Sequence, residues 1–370
     1  MIAITKIKDP KLIFRLLAIA CMFIVLILMF SLRSYPEIIE HYYSNGIYTS
    51  IRKGFLFLFN YIPFSVGDAL YIIIIILLLA GIYKFIRFLI RKQFGQAGMI
   101  FLGFILKFQI ALAIFYAIWA LNYFREPAQE RLSLQHYDYS ASELLTVTSM
   151  LIDSANQTRA SLRASDFYVS KQQIVDPAID AVEGLSAFNP PLLAIEPLAK
   201  SSLLSPLLNY LGTSGYYNPF TGEAQFNNLM PVFTQPFVAC HEMAHQMGFG
   251  AEDEANFVGF IAGKSSDNNL LKYSAYYLAS QEFMNEVWRT DSIAFRQMQN
   301  KISSAMIQDL ETEREFWTKY QGTANRLSSI FYDNYLKANK QPEGLKTYNR
   351  MIKLSMAYYK KNGFIKNPLR

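Results

Sequence analysis

The residues best placed to do chemistry are His241-Glu242-Met243-Ala244-His245. Two histidines four positions apart on a helix share one face, so both imidazoles can reach a single ion. Glu242 lies beside the first ligand without being aimed at the ion, so its carboxylate can take a proton from a water activated there and pass it on. Together these groups suit metal-assisted hydrolysis, with zinc the metal that fits the ligand types and Glu242 the general base. Apolar Phe237-Val238-Ala239-Cys240 precedes the motif, and Gly248 and Gly250 follow it, which predicts a short, mostly buried helix stopped by glycine.

A catalytic zinc site wants a third protein ligand and an open position. The candidates for the ligand lie in Ala251-Glu252-Asp253-Glu254-Ala255-Asn256. On a helix starting near Glu252, the residues Glu252, Ala255, Asn256, Gly259, Ala262 and Gly263 fall on one face, and all but Glu252 and Asn256 are tiny. Such a face lets two helices approach closely and would deliver Glu252 to the ion, with Asn256 behind it as a hydrogen-bond partner of a ligand. Glu254 is the alternative ligand, on a face shared with Phe257, Val258 and Ile261. Helix-dipole complementation accounts for Asp253 and for whichever glutamate the metal does not use.

Other substrate contacts are expected from Glu223, Ala224 and Gln225, if Gly222–Phe226 is an edge strand that pairs with an extended peptide; an ordinary hairpin explains the same residues. A tyrosine among Tyr216, Tyr217, Tyr273, Tyr276 and Tyr277 could donate to an oxyanion, with Tyr273 the one carried forward. The chain has 24 tyrosines, so each of them singly also fits packing. Cys240 reads as a small buried residue, and His41 and His136 have no partner pattern.

The elements that must position this site begin in a membrane. The chain of 370 residues is 52% hydrophobic and 17% charged, too apolar for one soluble domain. Three runs, about 16–32, 66–86 and 100–123, approach the roughly 20 residues a spanning helix needs. No small-residue cleavage site follows the first run, so it reads as a retained anchor. Lys6, Lys8, Lys11 and Arg15 before the first span, and Lys84, Arg87, Arg91 and Lys92 after the second, place the amino terminus in the cytoplasm. Three spans then put a membrane domain at 1–130 and an extracytoplasmic domain at 131–370. Much of the net charge of +6 sits in those flanks, which argues against nucleic acid as a partner. Cys21 and Cys240 are too differently placed for a disulfide.

Residues 48–68, with a basic start, an aromatic stretch and a proline, read either as an interfacial or re-entrant helix or as an extension of the second span. Ser140-Ala141-Ser142-Glu143 is a capping box ahead of a helix over 144–163. Residues 169–197 read as loop or short strand, 212–222 as turn and 223–226 as strand. Helical periodicity covers 269–289, 293–320, 324–340 and 344–360.

The segments IPFSVGD, GYYNPFTGEAQFN, CHEMAHQMGF, EDEANF and YDNYLK, together with the three apolar runs, resemble a bacterial family of predicted membrane-bound zinc metallopeptidases of the zincin superfamily. Glu252 to Asn256 also looks like the Glu-x-x-Ala-Asp/Asn element of gluzincins, including the membrane-bound prenyl-protein endopeptidases, in which the glutamate binds zinc and the residue four later orients a ligand. The gap from His245 to Glu252 is shorter than gluzincins usually have. Gly248 is reminiscent of metzincins, which would place a ligand at Ala251, where alanine cannot serve. The resemblance implies a mainly α protein: three transmembrane helices, then a predominantly helical α+β zincin-like domain with a small β element before the histidine helix. It also implies a zinc peptidase of the cytoplasmic membrane that acts on a peptide or protein. The alternative is a catalytically silent zincin-like domain that binds peptide or serves as a scaffold. An intramembrane protease fits less well, because the motif lies outside all three runs.

Overall fold

Hydropathy sets the first division of the chain. The computed structural model describes residues 9–339, 341 and 349–364. Its first third contains the helices α1 (Pro10–Ser31), α2 (Tyr48–Phe59), α3 (Val66–Ile90) and α4 (Phe94–Ile118). Three of these, α1, α3 and α4, are long and apolar enough to cross a membrane, with mean hydropathies of 2.9, 2.6 and 2.1 over their most apolar windows. Two compact units result, Met1–Tyr48 with Val66–Arg125, and Thr49–Ser65 with Glu126–Arg370.

In the first unit α4 packs on both α1 and α3. The Arg15 guanidinium donates to the Met99 carbonyl, and the Gln109 amide donates to the Ile19 carbonyl at 3.2 Å, so the polar groups on these helices are matched. The third apolar helix runs Phe94–Ile118, not 100–123 as expected, and Ala120–Phe124 is a separate 3-10 turn. The reason is a side chain competing for the backbone. Asn122 donates to the Trp119 carbonyl at 2.8 Å while its own oxygen accepts from the Ser44 hydroxyl at 2.8 Å. Nearby, Arg125 grips Glu40 through two nitrogens at 2.6 and 2.7 Å.

The second unit continues with α5 (Ala141–Ser161), α6 (Lys171–Glu183), β1 (Ala199–Ser201), α7 (Ser205–Leu211), β2 (Gly215–Asn218) and β3 (Glu223–Phe226). It is completed by α8 (Gln235–Gln246), α9 (Glu252–Ser265), α10 (Asn269–Thr290), α11 (Ser292–Gln299), α12 (Ser304–Thr318), α13 (Thr323–Ala338) and α14 (Asn349–Lys361). Helix α8 is central, packed against α6, α9, α10 and the sheet. Its inward residues Ala239, Cys240 and Met243 join Phe257, Phe260 and Phe283 in one core. The capping box at the start of α5 forms as expected, with the Ser140 hydroxyl accepting from Glu143 N–H and the Glu143 carboxylate from Ser140 N–H.

Three expectations are corrected. Residues 171–183, read as loop or short strand, form α6, which starts in a second capping box between Ser170 and Gln173 and tolerates Pro177 in its interior. Burial of Ile174, Val175, Ala178 and Val182 against α8 outweighs the hydrogen bond the proline removes. The strand Glu223–Phe226 is not an edge: β3 lies between parallel β1 and antiparallel β2, so Ala224 and Gln225 have strand partners on both sides, while Glu223 is paired with Asn218 of β2. The run 293–320 breaks into α11 and α12, because Ser303 leaves the helical path and accepts from Met306 N–H as an N-cap. Lys340 and residues 344–348 of the other expected helices lie outside the described residues.

Candidate metal centre

Every residue of α8 except His241 is buried, and the way the helix stops creates the site. Gly248 has φ +82°, a conformation glycine adopts at little cost. With it in place, Gly248 N–H donates to the His245 carbonyl at 3.0 Å and Phe249 N–H to the Ala244 carbonyl at 3.2 Å, the paired bonds of a Schellman stop. The turn carries the Phe249 carbonyl back to His245 Nδ1 at 2.6 Å. A carbonyl only accepts, so Nδ1 carries a proton and Nε2 is the nitrogen left to face a ligand. The glycine that ends the helix thus also fixes the histidine tautomer.

Helix α9 then returns along α8 closely enough that Gly259 lies against the His241 backbone, where a Cβ would sit 3.1 Å from its nitrogen. The expected small-residue face is therefore in use. It brings Glu252 to the histidines, with His241 Nε2 to Glu252 Oε2 at 3.3 Å and His245 Nε2 to Glu252 Oε1 at 3.5 Å. All three ligating atoms lie within 4.8 Å of one another. Metal bonds of about 2.0–2.1 Å at tetrahedral angles put ligand atoms about 3.3–3.4 Å apart, so the cluster has the size that a small metal ion requires. By themselves these groups have the electrostatics of an ion pair. Burial disfavours the His245 imidazolium, yet the Glu252 carboxylate overcomes this and pushes its pKa up to about 9. Burial likewise opposes ionisation of Glu252, but the two histidines hold its carboxyl well below the usual range.

Glu254, the alternative ligand, turns away. Its carboxylate accepts from Ala128 N–H and from the Arg131 guanidinium, both at 2.6 Å. Arg131 also stacks over the Phe249 ring at 4.3 Å, so one arginine ties Glu254 to the turn that supplies the carbonyl for His245. Asn256 is buried on the Glu252 side of α9, but among the described residues no hydrogen bond joins it to His241, His245 or Glu252, so the expected orienting role is not seen. That role falls to residues the spacing argument did not reach. The Tyr332 hydroxyl, from α13, donates to Glu252 Oε1 at 2.6 Å, and Gln341 Oε1 accepts from Glu252 N–H at 3.3 Å. The only sequence signal for Tyr332 was its place in YDNYLK.

Glu242 is buried on the sheet side of α8, with one oxygen beside Gly215 of β2: a Cβ there would fall 2.7 Å from Glu242 Oε1. Its other oxygen is buried without a hydrogen-bond partner among the described residues. Burial pushes its carboxyl up to about 7, against the pull of the two histidines. Tyr273 does not join the site. It is wholly buried in a separate cluster with Phe233 and Tyr277, and its hydroxyl is committed to Asp309 at 2.5 Å, so it packs and braces α12. The Tyr277 hydroxyl is similarly spent on Glu313, at 2.7 Å. Glu223 binds Lys200 at 2.7 Å, and Gln225 meets the Ser65 hydroxyl at 2.8 Å, so both serve the fold of the sheet.

The sequence profile of a family described as "Protein of unknown function (DUF3810)" matches residues 43–356. The chain belongs to this family. His241, Glu242, His245, Glu252 and Tyr332 all fall within the span matched to DUF3810, whereas α1 precedes it. No curated protein and no solved structure matches the chain significantly.

Replacing Tyr332 by Phe removes the hydroxyl that orients Glu252 while keeping the ring. The expected result is a 10- to 100-fold weaker metal affinity, the usual size for loss of an outer hydrogen bond to a ligand, measured by competition with a chromophoric chelator.

Proposed function

We propose that this DUF3810 chain is a membrane-anchored, zinc-dependent peptidase. The reading rests on one observation: His241, His245 and Glu252 converge while the unused carboxylate of Glu242 lies buried beside them. Two imidazoles and one carboxylate are the donor set of a catalytic rather than a structural zinc site, because no fourth protein ligand closes it among the described residues. When bound, the ion would lower the pKa of the attacking water and polarise the scissile carbonyl. Glu242 then accepts the proton that water gives up and returns it to the leaving amine. The Nδ1 proton of His245 stays hydrogen-bonded to the Phe249 carbonyl throughout, which fixes the ring orientation and keeps Nε2 directed inward. Tyr332 and Gln341 hold Glu252 from behind. The basic residues flanking α1 and α3 favour a cytoplasmic amino terminus in the inner membrane, which leaves the metal-bearing unit outside the cytoplasm.

The test is made on the full chain in lipid nanodiscs. About one zinc per chain, hydrolysis of a mixed peptide library, loss of hydrolysis with a strong chelator and its return on adding zinc are expected. A chain that binds no zinc, or that binds it and cleaves nothing, would instead favour the silent peptide-binding or scaffold role.

A further inference from the structure

Helix α2 is built the wrong way round for water. Its inward face carries Arg52, 4% exposed, whose guanidinium donates to the Gly222 carbonyl at 2.9 Å and to the Glu196 carbonyl at 3.0 Å. Leu56 is buried beside it. The turn that follows is fastened to the sheet as well: Lys200 Nζ donates to the Phe59 carbonyl at 2.9 Å, and Ser65 meets Gln225. The opposite face presents Lys53 and Phe57, one helical turn apart, with Leu58 next to them, and the turn beyond adds Tyr61 and Phe64. Phe57 is 79% exposed, Leu58 57%, Tyr61 89% and Phe64 49%. A water-facing helix buries its aromatic residues and exposes its arginine, whereas here the arginine is inside and a contiguous aromatic patch is outside.

The occupant of that patch follows from its chemistry and from the chain on either side. Aromatic rings with a lysine at one end are the side chains that settle at the boundary between headgroups and acyl chains, the rings in the boundary and the ammonium among the phosphates. The 12 residues of α2 reach only about 18 Å, too short to cross the roughly 30 Å hydrocarbon layer, so the helix can lie in the interface but not span it. The chain then passes from Ser65 directly into Val66, the first residue of the apolar helix α3, so the segment bearing the patch leads in sequence into one suited to lipid.

We infer that α2 is an interfacial helix whose Lys53, Phe57, Leu58, Tyr61 and Phe64 face is seated in the headgroup region of a phospholipid bilayer, a membrane contact separate from the three apolar helices. The contact bears on the metal centre through a short rigid route. Arg52 shares the Gly222 carbonyl with the Gln246 amide, at 2.9 and 3.1 Å, and Gln246 follows His245 on α8. Seating α2 in the interface therefore holds the metal ligands at the membrane surface, whatever reaction they serve.

The experiment uses the full chain with Cys21→Ser, reconstituted in phosphatidylcholine and phosphatidylglycerol nanodiscs. Cys240 is fully buried and stays unlabelled. Single substitutions Phe57→Cys, Leu58→Cys, Tyr61→Cys and Phe64→Cys carry a nitroxide, and Gln308→Cys on exposed α12 serves as the reference. All these positions are exposed, so labelling leaves the packing intact. At the α2 positions, power-saturation measurements are expected to give higher accessibility to oxygen than to a water-soluble nickel chelate, the reverse of position 308. Nickel accessibility equal to that at 308 would place the patch in water. Shielding from both reagents would place it against protein, a second copy included. Either result overturns the inference.

Discussion

Glu242→Gln is expected to reduce peptide hydrolysis by about 10²- to 10⁴-fold while leaving zinc bound at the wild-type level. The amide matches the carboxylate in shape but has no basic oxygen, so the substitution removes proton transfer and little else. The predicted loss corresponds to about 3–5 kcal/mol of transition-state stabilisation. The neighbouring histidines and Glu252 are untouched, and Gly215 still leaves room for the side chain. The pH profile provides a second readout. Burial, against the pull of the two histidines, pushes the Glu242 carboxyl up to about 7, and a bound cation, which favours the carboxylate, pulls it down again. Because the ionised form is the base, wild-type kcat/KM should rise with pH along an acid limb whose midpoint lies below 7, and in Glu242→Gln that limb should disappear. A variant that keeps full activity would remove Glu242 from the reaction and with it the peptidase reading. Zinc lost together with activity would mean that the side chain supports the metal instead.

What could be read from the sequence was what is local. The three apolar helices, the glycine-stopped helix around His241 and His245, the helix starting at Glu252 and the capping box at Ser140 each depend on spacing within a few turns, and all are present. Where a feature depends on which distant segment arrives, sequence spacing fails. Nothing within Glu223–Phe226 shows that three residues at Ala199–Ser201 will pair with its other side, so a central strand passed for an edge. Residues 171–183 carry both a capping box at Ser170 and an interior Pro177, and burial against α8 decides for the helix. Asn256 had the right spacing to orient a ligand, but spacing along one helix cannot reveal that Tyr332, 80 residues beyond Glu252, is the side chain that bonds its carboxylate. The short gap between His245 and Glu252 is bridged by the tight Schellman turn and the close approach at Gly259.

The same substitution made two positions apart should give opposite signatures. Glu252→Gln replaces a charged ligand with a neutral amide that coordinates poorly, so zinc affinity should fall beyond the 10- to 100-fold expected for Tyr332→Phe, and activity should fall with it. Glu254→Gln touches no ligand atom. It removes the anion opposite Arg131, whose side chain is 4% exposed, and leaves a nearly buried guanidinium without its counter-charge. Stranding such a charge costs about 3–5 kcal/mol when the partner is deleted outright, and less here because the amide oxygen can still accept a hydrogen bond. The expected result is a melting temperature lowered by several degrees with zinc still bound in a one-to-one ratio. Metal analysis and thermal melts of the two variants, run side by side, separate the roles, because only the true ligand couples occupancy to its charge. If Glu254→Gln loses the metal and Glu252→Gln retains it, the glutamates exchange roles, and the convergence of His241, His245 and Glu252 is an ion pair rather than a metal site.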